Sequence, residues 1–412
     1  MLTFAVCGCG SRGRTYMKIA ATMPDRYRCE AGADLVPERV EAMRAISGNP
    51  EFRGFDSVEA LLAQPKLADV MVISTQDDYH FEPARRALEL GYDVLLEKPA
   101  ARSRAEVREL ADLAMRHGRS IVLCFVLRHT RFYKRVREIM DSGALGEVIS
   151  LNASEGVEPF HQAHSFVRGH WSRAADSTPM IVAKCCHDTD LIAWLVGTRC
   201  RSVSSFGSLR HFTAVNAPEG ATERCTDGCP HLGTCPYDVH RYFSDKERWL
   251  EMIYPNPADI RKEAVLEWFK ASPWGRCAYH CDNDAVDHQV VNMEFECGTT
   301  ASLTMTAFDC GRHLQIFGTG ASLRGGDVMM AEHGCDIVVR HHHTGEIERI
   351  TLEEDAASGY SGHGGGDYGL INALDHMLSN PGRIDNGLEG HLIAFAAEAS
   401  RLGGGRPVMV HP

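Results

Sequence analysis

From residue 2 to about 127 the chain alternates short apolar runs with amphipathic stretches, and this alternation constrains its fold more than any other feature. The apolar runs at 3–6, 28–33, 69–74, 93–96 and 120–126 read as strands buried on both faces. Between them lie helical stretches. In "SRAEVRELADLAMRHG", Ser103 and Glu106 form a capping box and Gly118 supplies the stop. Strands joined through helices run parallel with right-handed crossovers, so the first 127 residues are predicted to form a doubly wound α/β domain. In such a sheet ligands bind at the carboxyl ends of the strands.

Two motifs fall on that edge. Directly after the first strand stands "GCGSRG", with Gly8, Gly10 and Gly13 in G-x-G-x-x-G spacing around Ser11 and Arg12, at the opening of a helix. The glycines permit a tight turn and close approach of backbone to a pyrophosphate, which then sits on the helix N-terminus, as in a Rossmann fold. Asp34 closes the second strand in "AGADL". A carboxylate there accepts from both adenosine ribose hydroxyls and repels a 2′-phosphate, so NAD is expected over NADP, with Arg12, Arg14 and Arg39 as the residues that would favour NADP instead. The second motif is "VLLEKPAA", where an apolar strand ends in Glu97, Lys98 and Pro99. The proline biases Lys98 toward an extended backbone and holds it at the strand's end.

After about residue 128 the texture changes. A strand at 147–154 is followed by no crossover repeat, then by a long helix predicted over 178–196 and a strand near 201–208. Past an irregular stretch at about 210–280, with one helix predicted over 258–270, "VVNMEFECGTTASLTMTAF" alternates by twos about a Cys-Gly turn, and β-like stretches run to about 352. Helices near 367–379 and 388–402 close the chain. Residues 128–412 are therefore predicted to form an α+β domain with a largely antiparallel sheet. The "HHH" at 341–343 leads into "TGE" and reads as an exposed hairpin tip.

A net charge of −12 with scattered lysines and arginines gives no footprint for nucleic acid, and a small-molecule partner is expected. No apolar run reaches the ~18 residues of a membrane span, and the amino terminus enters a strand at once, so a cytoplasmic location with no membrane partner is the expectation.

Together "GCGSRG", "STQDDYH" after the third strand, "EKP", "DSGALGEV" and "HDTDLIAWLVG" resemble the glucose-fructose oxidoreductase, inositol dehydrogenase and MocA family of sugar and polyol oxidoreductases over nearly the whole chain. The resemblance implies a lysine facing substrate and nicotinamide, which falls on Lys98, and a histidine from the second domain's long helix, which falls on His187. Thr75, His80 and Glu97 keep their places in the family's cofactor edge. This chain departs from the pattern in having Asp77 where the family often has asparagine, and Ala183, with Lys184 beside it, where inositol-type enzymes tend to carry an aspartate. On one helix, Lys184, His187 and Asp188 would share a face at i, i+3 and i+4, flanking the histidine with a cation and a carboxylate. The resemblance further implies a homodimer or homotetramer formed through the second-domain sheet.

The expected reaction is hydride transfer between NAD and a hydroxyl of a sugar, polyol or glycoside. Two alternatives stay open: a redox-neutral glycosidase or lyase, in which oxidation, elimination and re-reduction follow one another, and a non-catalytic NAD or sugar sensor. Arg128, ending the fifth strand, is a candidate for substrate or for an acid at the domain junction. Asn283 and Asp284, between Asp282 and His288, and His363, near Asp367, are candidates for hydrogen-bonding a polyhydroxylated ligand.

Of fifteen cysteines, Cys7, Cys9, Cys29, Cys124, Cys185, Cys186, Cys200, Cys297, Cys310 and Cys335 lie in apolar segments and read as small buried hydrophobes. Cys225, Cys229 and Cys235, then Cys277 and Cys281, have C-x3-C-x5-C and C-x3-C spacing. In a reducing compartment such spacing favours a structural zinc over a disulfide, with Cys225, Cys229, Cys235 and Cys281 as the expected ligands and Cys277 as the substitute for the last; an iron-sulfur cluster and free thiols are the alternatives.

Overall fold

The computed structural model describes residues 1–255, 260–327, 334–353, 362–379 and 387–411. Six parallel strands make the first sheet: β1 (Leu2–Cys7), β2 (Tyr27–Ala33), β3 (Arg53–Phe55), β4 (Val70–Ile73), β5 (Asp93–Leu96) and β6 (Ile121–Leu123), in the order β3-β2-β1-β4-β5-β6. All four residues of β4 are buried, as a strand covered on both faces requires. The order reverses between β1 and β4, which opens a crevice at their carboxyl ends. β3 has no apolar run to announce it; the "RGF" segment exists as a strand only because β2 offers it an edge. The last strand is shorter than the apolar run suggests, because Val126–His129 turns into a 3-10 segment.

The second sheet has nine strands: β7 (Val148–Val157), β8 (Cys200–Ser208), β9 (His288–Phe295), β10 (Thr300–Thr306), β11 (Cys310–Gly318), β12 (Ala321–Gly326), β13 (Ile337–His341), β14 (Ile347–Ile350) and β15 (Val408–Met409). All pairs are antiparallel except β7 with β10. Burial alternates along β9, with Val291, Met293 and Phe295 inward, and the β9–β10 hairpin turns at Gly298 with φ +91°. Helices cover the inner face. The outer face is open and carries exposed Phe206 and Val290, which are cross-strand partners.

The helix predicted over 178–196 is broken. Met180–Ala183 ends at Lys184, Cys185 leaves helical geometry at ψ 5°, and a new helix runs Cys186–Val196. The break leaves the Ala183 carbonyl to accept from Lys98 Nζ at 2.9 Å. The helix predicted over 258–270 spans Lys262–Phe269, residues 256–259 lying outside the described part. Together with Val239, Tyr242, Leu250 and Trp274, it gives the Cys-rich insertion a small core of its own around Phe160.

The closing helices do not stay with the second sheet. Leu370, Ile371 and Leu374 of Gly366–Leu378 pack among Phe4, Tyr16 and Tyr27 of the first domain. The helix Gly387–Leu402 buries Leu392 and Ile393 in the second core, while Leu388 and Phe395 lie against both cores.

Candidate active site

The glycine turn is shaped by contact. Gly8 has φ +89°, and a Cβ there would stand 2.7 Å from the Ser74 carbonyl; one on Gly13 would stand 2.4 Å from the Gly8 carbonyl. Neither position admits a side chain. A Cβ on Gly10 would meet nothing within 4 Å, so that glycine faces open space. Gly10 caps the helix Ser11–Ala21 without a side-chain bond, and the first turn holds no acid, so free N–H groups and the positive end of the helix face the same space. These residues fit the pyrophosphate of a dinucleotide. Asp34, at the end of β2, accepts from the Val36 N–H at 3.0 Å and lies 3.5 Å from Arg39.

Other residues of the expected cofactor edge serve the scaffold. Arg12 does not reach toward a phosphate: its guanidinium donates to Glu97 (2.7 Å), to Asp367 (2.6 Å) and to the Tyr16 hydroxyl (2.6 Å). Glu97 is buried, which alone would raise its pKa, but Arg12, Lys98 and the Tyr16 hydroxyl hold the carboxyl below its ordinary value. Its second oxygen accepts from the Lys98 N–H at 3.0 Å. His80 is 1% exposed, with one ring nitrogen 2.7 Å from the Pro99 carbonyl and the other 3.1 Å from that of Thr75, so it braces the Thr75 turn against the cis Lys98–Pro99 bond and has no nitrogen left for a ligand. The Thr75 hydroxyl itself donates to the Tyr79 carbonyl.

Lys98 and His187 are linked electrostatically. The Lys98 ammonium is held by Ala183, and its charge acts on His187, four residues on. His187 is 8% exposed, packs edge-on to Phe125 at 5.6 Å, and has a buried Nδ1 without a hydrogen-bond partner. Burial, and then Lys98, Arg312, His363 and Lys184, push its pKa well down, so the imidazole is held neutral.

The expected flanking of His187 by Lys184 and Asp188 is replaced by a different arrangement, because the helix break separates them. Lys184 Nζ pairs with Glu155 of β7 at 3.0 Å; Arg312 of β11 pairs with the other Glu155 oxygen at 2.9 Å and with Asp188 at 2.8 Å. Burial raises the Asp188 pKa, Arg312 opposes this and Glu155 adds to it. This four-membered network lies under His187 rather than presenting an acid to a ligand. Glu155 and Arg312 sit in alternating strands and carry no sequence signal of their role.

Arg128 resolves as a junction residue: its guanidinium grips Asp190 of the helix Cys186–Val196 through two bonds of 2.7 and 2.5 Å, both side chains being buried. Asp284 accepts from the Ala174 N–H at 2.8 Å and shapes the loop at 170–177, which Asp77 holds from the other domain through Trp171 Nε1 at 2.8 Å. Asn283 is 8% exposed with both amide atoms unpartnered, a group that a hydroxylated ligand would satisfy. His363 is exposed, has φ +49°, pairs with Asp367 at 3.0 Å, and acts electrostatically on His187.

One residue of this corner was not anticipated. His161 precedes a π-helix, Gln162–Val167, a rare form found mostly at functional sites. Burial lowers its pKa well below the ordinary value, with Lys184, His164 and Lys98 adding to the effect, and its ring lies 4.6 Å from Trp249 of the insertion. "EPFHQAH" offers only two histidines among aromatics, and nothing local predicts the π-turn that aims one of them.

In the insertion, Cys225, Cys229, Cys235 and Cys277 line a cavity of about 20 Å³, with Arg168 beside them. Cys281 is turned away, its thiol donating to the Cys277 carbonyl at 3.2 Å. As they stand, no three His, Cys, Asp or Glu side chains among the described residues form a set able to hold a metal ion, so the expected zinc set with Cys281 is not assembled. Of the ten cysteines read as buried, Cys297 and Cys310 are exposed, Cys297 in the β9–β10 turn and Cys310 at the first residue of β11.

Comparison with known proteins agrees with this fold. Residues 2–125 match the model of an oxidoreductase family with an NAD-binding Rossmann fold, and 133–240 match the GFO/IDH/MocA C-terminal domain, together more than half the chain. The chain belongs to the Gfo/Idh/MocA family. Among curated family relatives, inositol 2-dehydrogenase 2 of Saccharopolyspora erythraea is 26% identical over 202 residues, 48% of this chain and 54% of that protein. The chain spans about half the length of the curated relatives it matches. Scyllo-inositol dehydrogenase of Lactobacillus casei, solved with NAD(H) and scyllo-inositol, has the same fold at TM-score 0.64 and 17% identity, covering 100% of both chains. The WlbA dehydrogenase of Chromobacterium violaceum, solved with NADH and UDP-GlcNAcA, gives TM-score 0.64 and 17% identity over 99% of this chain and 95% of that one.

Proposed function

We propose that this chain is an NAD-dependent oxidoreductase that transfers hydride between nicotinamide and a hydroxyl-bearing carbon of a sugar, polyol or glycoside. The observation that carries the reading is the pairing of Lys98, held at the end of β5 by the Ala183 carbonyl, with a neutral, unpartnered His187. Gly8, Gly10, Ser11 and Gly13 would hold the pyrophosphate and Asp34 the adenosine ribose, which favours NAD; bound nicotinamide supplies the hydride acceptor. Lys98 positions the reacting hydroxyl by its charge, and His187 takes the hydroxyl proton. Asn283 and His363 would hydrogen-bond further hydroxyls.

His161 favours a second reading on the same site. A second imidazole, on which the charges of Lys98 and Lys184 act, would take a proton from the carbon next to a newly formed carbonyl; the glycosidic oxygen would leave as the alcohol, water would add to the enone, and the carbonyl would regain its hydride from reduced nicotinamide. The redox cycle then closes with no net NADH.

The open outer face of the second sheet, with Phe206 and Val290 exposed, supports assembly into a dimer or tetramer through that face. Incubating the enzyme with NAD and candidate polyols and glycosides, while recording NADH absorbance and free-sugar release, tests both readings. NADH accumulation supports dehydrogenation, sugar release without NADH supports the redox-neutral cycle, and no reaction with any candidate by a protein that binds NAD refutes both.

A further inference from the structure

The insertion holds a charge that nothing yet described balances. Arg168 ends the π-helix and is only 4% exposed. It donates to the carbonyls of Arg276 (2.7 Å) and Tyr237 (2.8 Å), and its third contact is the Cys225 sulfur at 3.8 Å. No carboxylate pairs with it among the described residues, and its Nη1 is buried without a partner. The groups that act on it electrostatically are Cys225, Tyr242, Cys281 and Cys277. A buried guanidinium is costly unless an anion faces it, and the ionisable groups facing it here are cysteines and a tyrosine.

The backbone prepares the same thiols. Arg224 and Arg276 form an isolated antiparallel bridge, with Cys225 N–H donating to the Gly275 carbonyl and Cys277 N–H to that of Glu223, so two cysteines distant in sequence stand on one short ribbon. The two other ligand-type side chains on the cavity are already engaged: His231 with the Glu219 carbonyl, and Asp238 with the N–H groups of Gly233 and His240.

We propose that Cys225, Cys229, Cys235 and Cys277 bind one structural zinc ion as thiolates, with Arg168 balancing part of the negative charge of the four-thiolate site. The four cysteines line one cavity, and four thiolates make a closed tetrahedral donor set for zinc. Four thiols lose their protons and four Zn–S bonds form, with no change in oxidation state. Cys281, which donates its thiol to a carbonyl, stays outside the set. Because Arg168 terminates the π-helix that begins beside His161, the ion would also stiffen the segment carrying that histidine into the reaction corner.

Metal analysis of the full chain, purified without chelator, tests this independently of any activity. One zinc per chain is expected, and protein grown with cobalt should show the intense near-ultraviolet charge-transfer absorption of tetrahedral thiolate ligation. Cys281→Ser should keep the metal, whereas Cys277→Ser should hold less than about a tenth of it after brief chelation. Absence of stoichiometric metal, iron with acid-labile sulfide, disulfides among these cysteines, or loss of zinc in Cys281→Ser would each overturn the assignment.

Discussion

At the scale of the residue, the site separates groups that face a ligand from groups that hold them. Lys98 belongs to the first set, Glu97 and His80 to the second, although all three stand near one strand end. Lys98→Met is therefore expected to leave NAD affinity nearly intact, since the proposed pyrophosphate and ribose contacts lie at Gly10 and Asp34. Turnover should fall by ~10² or more, the usual contribution of a positioned proton-transfer group. Calorimetry with NAD beside steady-state rates on the best substrate checks both halves. Asp34→Ser removes the fixed carboxylate that a 2′-phosphate would meet, leaving Arg39 nearby; the preference for NAD over NADP should shrink, as titration with both nucleotides would reveal.

At the scale of the element, two buried contacts fix how helices meet the first sheet. His391 of the helix Gly387–Leu402 accepts the Ala100 N–H at 2.9 Å through one nitrogen and faces the Gly387 carbonyl with the other. Burial lowers its pKa to about 4, so the ring is neutral in the fold. The unfolded chain then binds more protons at this site as pH falls below the free histidine value, and stability falls with it. Between pH 7 and pH 5 His391 alone should cost about 2 kcal/mol, from the gap between a free histidine near 6.5 and the depressed value. Urea unfolding of the wild type and of His391→Gln at both pH values measures this: the variant should show the smaller drop. The second contact is Arg128 with Asp190, which ties the turn after β6 to the helix Cys186–Val196. Asp190→Ala leaves a buried guanidinium beside an apolar methyl and should lower stability by roughly 3 kcal/mol or more, read from the shift of the denaturation midpoint.

At the scale of the whole molecule, the two sheets are joined by contacts from the chain's ends. Arg12 near the amino terminus pairs with Asp367 near the carboxyl terminus, and the helix Gly366–Leu378 completes the first core. The outer face of the nine-stranded sheet is uncovered, with Phe206 and Val290 exposed on it. Phe206→Asp places a charge on that face, in β8 beside the edge strand β15, without touching the inner core, so the proposed assembly should dissociate while the fold persists. Sedimentation velocity gives the mass, and circular dichroism the fold; an unchanged oligomer would move the interface elsewhere.

The sequence by itself determined the elements whose signal is local. Apolar runs set the strands, the Ser103–Glu106 capping box starts its helix, glycine spacing marks the dinucleotide turn, and the proline after Lys98 places that lysine at the strand's end. Tertiary structure alone decided the rest. The helix around Lys184 breaks because Ala183 serves Lys98 and Lys184 serves Glu155, two partners far away in the chain. Arg12 and Arg128, as basic residues near a ligand edge, look free in sequence, yet burial beside Asp367 and Asp190 commits them to the scaffold. His161 reaches the reaction corner through a π-turn with no local code, and Cys277 rather than Cys281 faces the cavity because a bridge between distant residues sets which sulfur points inward. Local propensity acts over a few residues, whereas a buried charge takes whichever partner the packed chain brings to it.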